Sequence, residues 1–314
     1  MIADAPSPTR ARLIAALPWL GILAVGVSWG AGAPLVRIAR LEGWSPVALI
    51  FWHSVLGLVA LGLVLWLRGR LAIPRDRASL KLYLAVALLG IVLPHLAGFW
   101  ALAHVPAAAH SVIISLVPLF ALALALGLRI ERFRALRFTG LMLGAGAVAL
   151  LILPEASLPP GTASAWLLVS MLAPFCYALE GLVIANFSRA QSGPLQTLFG
   201  ATIVALVLVA PVALAQGAGA LPFRPWGVAE WAVAISGVTG ALTYAGYVAI
   251  LRHAGSVFGA QVAYVVTTSG VLWAMLLLGE RPSPWFWGAL GLLFAGLVLV
   301  QPRPAAPLAD PPGT

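Results

Sequence analysis

Residues 127–140 read GLRIERFRALRFTG, and residues 277–288 read LLGERPSPWFWG. Each stretch closes a long apolar run, carries Glu-Arg at the junction and leads into another apolar run containing glycine. The first holds four arginines and the second one. Aligned without a gap at an offset of 149, residues 101–132 fall on 250–281. Leu102 then meets Leu251, His104 meets His253, Ala125 meets Ala274, and Glu131-Arg132 meets Glu280-Arg281. The chain repeats itself, and the second copy has lost charge.

The surrounding composition supplies the setting. Of 314 residues, 62% are hydrophobic and 9% charged, with a mean hydropathy of +1.03; soluble domains carry about a quarter charged residues. Residues 82–128 contain no Asp, Glu, Lys or Arg, a run much longer than the roughly 20 apolar residues that one bilayer-crossing helix needs. This is the pattern of a polytopic helical membrane protein. Breaking the apolar runs at charge, Pro and Gly predicts ten spans, near 16–36, 46–67, 80–102, 107–128, 134–153, 163–187, 194–215, 228–251, 257–278 and 284–302. The tail PRPAAPLADPPGT is too polar and too short to span and is expected to be disordered. Arg10 and Arg12 before an apolar stretch imitate a signal peptide, but the many spans that follow make that stretch the first helix.

Fourteen of the eighteen basic residues fall on the N-terminus, the loops after spans 2, 4, 6 and 8, and the C-terminus; four fall on the other loops. The positive-inside rule places both termini in the cytoplasm of a multi-pass inner-membrane protein. Five spans per half is an odd number, so the second copy must enter the membrane upside down. That explains the missing charge: the loop after span 4 faces inward and keeps its arginines, whereas its copy after span 9 faces outward. One pair stands against the pattern, with Arg37 and Arg40 outside and Arg189 inside. The expected fold is an all-α membrane protein of ten transmembrane helices in two inverted five-helix repeats, 1–155 and 156–302, with a tail at 303–314. Such repeats are a common plan for secondary transporters.

Together these features resemble the drug/metabolite transporter superfamily in its ten-helix EamA-type branch. Trp29-Gly30-Ala31-Gly32-Ala33-Pro34 is similar to the WGxxxP element that ends that family's first helix. Gly279-Glu280-Arg281, with Gly288, Gly291 and Gly296 after it, is similar to its GER turn and glycine helix. The first copy departs by placing Ile130 where the family often has Gly. The resemblance implies alternating-access transport of small organic solutes, often export of amino acids or related metabolites, without naming the substrate.

Among intramembrane residues, Glu180 is the acid placed well inside a span. An acid at a helix centre costs about 2.5–3.5 kcal/mol on the insertion scale, so it faces a cavity or a partner. It either couples transport to protons or binds a substrate amine, or it is a structural acid near the cytoplasmic end. His53, His95 and His110 sit at similar depth toward the outer surface, either lining a vestibule or joining helices by hydrogen bonds. No HxxxH or carboxylate partner accompanies them, so no metal site is expected. Applying the inversion yields an inner set of Tyr177, Glu180, Tyr244, Tyr247, Gln261 and Tyr264, with Trp29 toward the outside. Pro34, Pro94, Pro118 and Pro174 interrupt spans 1, 3, 4 and 6 and are expected to kink them. Glycines on spans 5 and 10 make small-residue faces that either pack the halves together or form a dimer.

The implied pocket is aromatic and lacks deep Arg or Lys. It disfavours sugar phosphates, whose charge needs compensation in low dielectric, and favours neutral, zwitterionic or aromatic solutes such as amino acids; drugs, other metabolites or lipids are the alternative. A membrane enzyme is the competing class, but the acids are scattered singly, without HxxxD or DxxxD pairs. The net charge of +9 sits in short loops and does not indicate nucleic acid. Single Cys176 excludes an internal disulfide framework. There is no GxxxxGK[ST] phosphate loop, so ATP does not drive this chain directly. No cofactor is expected. The expected partners are a small-molecule substrate and membrane lipid, with possible proton coupling, in a monomer or a homodimer.

Overall fold

The computed structural model describes residues 8–152, 165–187, 190, 192–219, 225–254, 259 and 261–300. The Pro-rich tail, Arg189 and Arg224 lie outside the described residues. Within them, eight helices are long and apolar enough to cross a membrane: Leu17–Leu41, Pro46–Leu67, Arg77–Ala101, Ala107–Gly127, Ala135–Ile152, Ala165–Ala185, Pro194–Ala215 and Val228–Leu251. Val262–Leu278 and Pro284–Val300 are shorter apolar helices of 17 residues each. At 1.5 Å per residue each reaches ~26 Å, against a hydrocarbon core of ~30 Å. These ten are numbered spans 1 to 10.

Three spans depart from regular α-helix, each around the residue four before a proline. Proline lacks an N–H and collides with the carbonyl of residue i−4. Span 1 divides after Gly30 into Pro8–Gly30 and Gly32–Leu41, with Pro34 in the second piece. Span 4 divides after Ile114 into Ala107–Ile114 and Val117–Gly127, with Pro118 in the second. Span 3 keeps its helix by widening into a π turn at Ala87–Val92, which contains Gly90, four before Pro94. Pro174 behaves differently: it lies within the continuous helix Ala165–Phe187. Ser45 and Asp76 cap spans 2 and 3, accepting from Ala48 N–H at 3.1 Å and from Ala78 and Ser79 N–H at 3.0 Å each.

Packing follows the repeat. Spans 1 and 9 pack together, and so do their copies 6 and 4; 2 packs with 8 as 7 does with 3; 3 packs with 6 as 8 does with 1. The pairs 2–7, 4–9 and 5–10 are their own counterparts. Gly90 faces Glu180 and Gly98 faces Ala173, so spans 3 and 6 run antiparallel. Spans 1 and 3 run the same way in an alternating bundle, so span 6 enters opposite to its counterpart, span 1. The second copy is inverted. A Cβ on Gly140 would stand 2.7 Å from the Gly296 carbonyl oxygen. The small-residue faces of spans 5 and 10 therefore pack on each other and join the halves.

Arg37 and Arg40 prove to lie in the helix, which continues to Leu41, rather than in a loop after residue 36. Arg37 Nη1 donates to the Leu102 carbonyl at 2.8 Å and also to that of Val105. Arg40 Nε donates to Phe99 O at 2.9 Å, and Nη1 to Trp44 O. Arg37 Nε also lies 3.4 Å from Glu280. This exception to the charge pattern is thus not a pair of free loop charges. Both guanidiniums close carbonyls around the end of span 3, and one is matched by an acid.

Candidate functional site

The bundle has an arginine-rich face, bearing the loops after spans 2 and 4, and a far face. Toward the arginine-rich face, Glu180 of span 6 lines a cleft of about 300 Å³ with Val86 of span 3, Ser192 before span 7, Thr197 of span 7 and Tyr244 of span 8. Its carboxylate fills the place of a side chain that span 3 lacks: a Cβ on Gly90 would lie 2.5–2.8 Å from Glu180 Cδ and its oxygens. Gly90 belongs to the π turn forced by Pro94, so a backbone irregularity and a missing side chain coincide opposite the acid. Isolated π turns recur at functional sites. Among the described residues the carboxylate has no hydrogen-bond partner, and it is half-buried. Tyr177 precedes it by three positions on the same helix face.

Two of the histidines gather on Phe99, and His110 lies beside the neighbouring Gly98. His95 stacks on its ring, with centroids 4.8 Å apart and planes at 10°, and His53 meets it edge-on at 5.4 Å. His53 Nε2 lies 2.9 Å from Ser236 Oγ. That hydroxyl donates to Ala232 O at 2.6 Å, so His53 is the donor to it. His110 Nδ1 pairs with Ser170 Oγ at 2.6 Å. These two histidines join helices, span 2 to 8 and span 4 to 6. His95 differs: among the described residues its buried Nδ1 has no partner, an open valence inside the bundle that a solute or water would satisfy. Among the described residues no group of three or more His, Cys, Asp or Glu is arranged to hold a metal ion.

The remaining aromatic residues are distributed between two other seams. Trp29 meets Tyr247 edge-on at 5.8 Å, joining spans 1 and 8. Tyr264 meets Phe294 at 5.4 Å, joining spans 9 and 10. Gln261 opens span 9, and its carbonyl accepts the Tyr264 N–H at 3.2 Å. The structure therefore places Glu180 and Tyr244 in one cleft and the histidines in one cluster, with Trp29 and Tyr264 in separate packing seams. Sequence reasoning missed Gly90, Phe99, Ser170 and Ser236. Gly90 was legible as the residue four before Pro94, and Phe99 as the helical neighbour of His95; the serines carried no signal.

Residues 17–153 and, separately, 164–301 match the model of the EamA-like transporter family. The chain belongs to that family. It is a multi-pass membrane transporter of the drug/metabolite type, and the two matched segments are the two inverted copies. A solved crystal structure of a protein similar in fold is 18% identical, covering 89% of this chain and 95% of that one, with a TM-score of 0.57. No curated protein matches the chain.

Proposed function

We propose that this EamA-like transporter moves small neutral or zwitterionic organic solutes, amino acids among them, outward across the inner membrane by alternating access. The arginine-rich face and both termini are cytoplasmic in this reading, and the Glu180 cleft is the inward-facing mouth of the substrate path. The observation that carries it is the unpartnered Glu180 carboxylate opposite Gly90. A half-buried acid without a partner is poised for a proton or a substrate ammonium. Tyr177 and Tyr244 flank it, and His95 offers a ring nitrogen without a partner among the described residues, farther along span 3. Arg37 and Arg40, inside span 1, are engaged by carbonyls and Glu280. A phosphorylated solute would therefore find no free guanidinium there, which supports neutral and zwitterionic cargo.

The test is uptake of labelled neutral amino acids, aromatic ones, methionine and threonine included, into proteoliposomes with and without a pH gradient. Uptake above empty liposomes is expected, and Glu180→Gln is expected to remove its pH dependence. Silence of the folded protein across the panel would redirect the reading to drugs, other metabolites or lipids. Unchanged pH dependence in the variant would make Glu180 structural.

A further inference from the structure

The first helix of span 4, Ala107–Ile114, starts at Pro106, which offers no side-chain cap. Its free amides are instead met from the other half of the chain. Glu280 Oε1 accepts Ala107 N–H at 2.7 Å and Oε2 accepts Ala108 N–H at 2.9 Å. The same carboxylate lies 3.4 Å from Arg37 Nε, and Arg37 holds the Leu102 and Val105 carbonyls of the turn before span 4. One acid in the turn after span 9 therefore ties together spans 1, 4 and 9 at the far face. The side chains of Arg37 and Glu280 are only 19% and 13% exposed, so water screens this pair less than a surface one.

We propose that Glu280 is a latch that holds the far face shut, and that opening toward that face requires its release from the span 4 amides and Arg37. Spans 2 and 3 are capped by Ser45 and Asp76 at their own starts, so their first amides are met from within their own repeat, although the Ser45 hydroxyl also donates to Gln216 at 2.9 Å. A cap supplied from the opposite repeat exists only while the two repeats meet. Its sequence counterpart, Glu131, makes no comparable crossing: it pairs with Arg137 in the first turn of span 5, within its own repeat. The latch rests on the alternating-access reading, but its test needs no substrate.

Ser111 lies one turn into span 4, buried, with its hydroxyl where a Cβ of Gly270 on span 9 would stand, 2.6 Å away. With Cys176→Ala as background, the S111C protein in proteoliposomes is treated with a membrane-impermeant thiol reagent from the far face. A T197C protein, whose reporter lies in the Glu180 cleft, is treated from the arginine-rich face. Charge-assisted bonds of this kind weigh enough that adding Glu280→Gln is expected to raise S111C labelling about tenfold. T197C labelling falls in step, while Glu131→Gln leaves S111C labelling unchanged. An unchanged S111C rate, or an equal rise at both reporters indicating general loosening, would overturn the proposal. Thermal denaturation in detergent checks folding. Should Glu280→Gln fail to fold, Arg37→Gln keeps the amide contacts and is expected to give a smaller rise at S111C alone; no rise there would equally overturn the latch. If S111C rises and T197C does not fall, the latch stands and the alternating-access reading fails.

Discussion

After span 4, the N–H groups of Ile130 and Glu131 close onto the Ala125 carbonyl at 2.9 and 3.2 Å. After span 9, those of Gly279 and Glu280 close onto the Ala274 carbonyl, 149 positions later. The two turns share a backbone plan, and the alignment that paired Glu131 with Glu280 holds at the level of hydrogen bonds. Their side chains part company. Glu280 reaches across to span 4 and Arg37, whereas Glu131 pairs locally with Arg137. The lesson concerns inverted repeats: a backbone motif can be copied, but its partners depend on which face it meets. The far end is closed by charge crossing between repeats, and the other end holds a cleft with an unpartnered acid.

The largest break in this comparison comes from closing the far end too tightly. A Cβ on Gly30 would collide with Ser269 Oγ and lie 2.7 Å from Gly270 N and 2.8 Å from Val266 O. Backbone atoms cannot swing aside, so Gly30→Ala is expected to destabilise by about 1–3 kcal/mol. Gly181, beside Glu180, would meet nothing within 4 Å, and Gly181→Ala is expected to be neutral or to stabilise by up to ~1 kcal/mol. Thermal melts in detergent compare them; equal melts would mean that spans 1 and 9 are not held this closely. Next in size is Gly90→Ala, which sharpens the comparison at the cleft. There the new Cβ meets the mobile end of Glu180, which can move at little cost to stability. The melt is expected to stay near that of the parent while transport falls about tenfold or more, since displacing a positioned group by about 1 Å is costly. Unchanged transport would remove the Gly90–Glu180 contact from the mechanism.

The ten spans, their inversion and the acid in span 6 were legible because each is written in hydropathy, in loop charge or in a single costly residue. The bends at Gly30 and Ile114 were legible too, as positions four before a proline. Pro174 shows the limit of that rule, for it carries the same chemistry in a helix that stays continuous. What composition could not reveal was pairing across the repeats. Arg37 looks like a misplaced loop charge until Glu280 and two carbonyls are found around it. For His53 and His110 the sequence leaves vestibule lining and helix joining both open; the partners that join helices, Ser236 and Ser170, are ordinary serines more than fifty positions away. Hydropathy fixes depth in the membrane, and rotation about each helix axis decides partners; a helix that is apolar all round carries no polar stripe to set that rotation.

The smallest effect tests whether the two Glu-Arg turns differ in backbone as well as in side chains. Each contains a left-handed residue, one position apart in the alignment: Gly279 at φ 64°, and Arg129, the counterpart of Leu278, at φ 57°. Glycine adopts this region freely, whereas other L-residues there carry about 1–2 kcal/mol of strain. Gly279→Ala is therefore expected to lower stability by about 1 kcal/mol, and Arg129→Gly to raise it by somewhat less, since glycine also frees the unfolded chain. Opposite shifts of similar size in thermal melts would show that each turn wants a left-handed residue, though one position apart. The difference between the two ends would then reside in the carboxylates and their partners. If Arg129→Gly instead destabilises, the Arg129 side chain holds something at the arginine-rich face that outweighs its strain, and that turn has a fastening of its own.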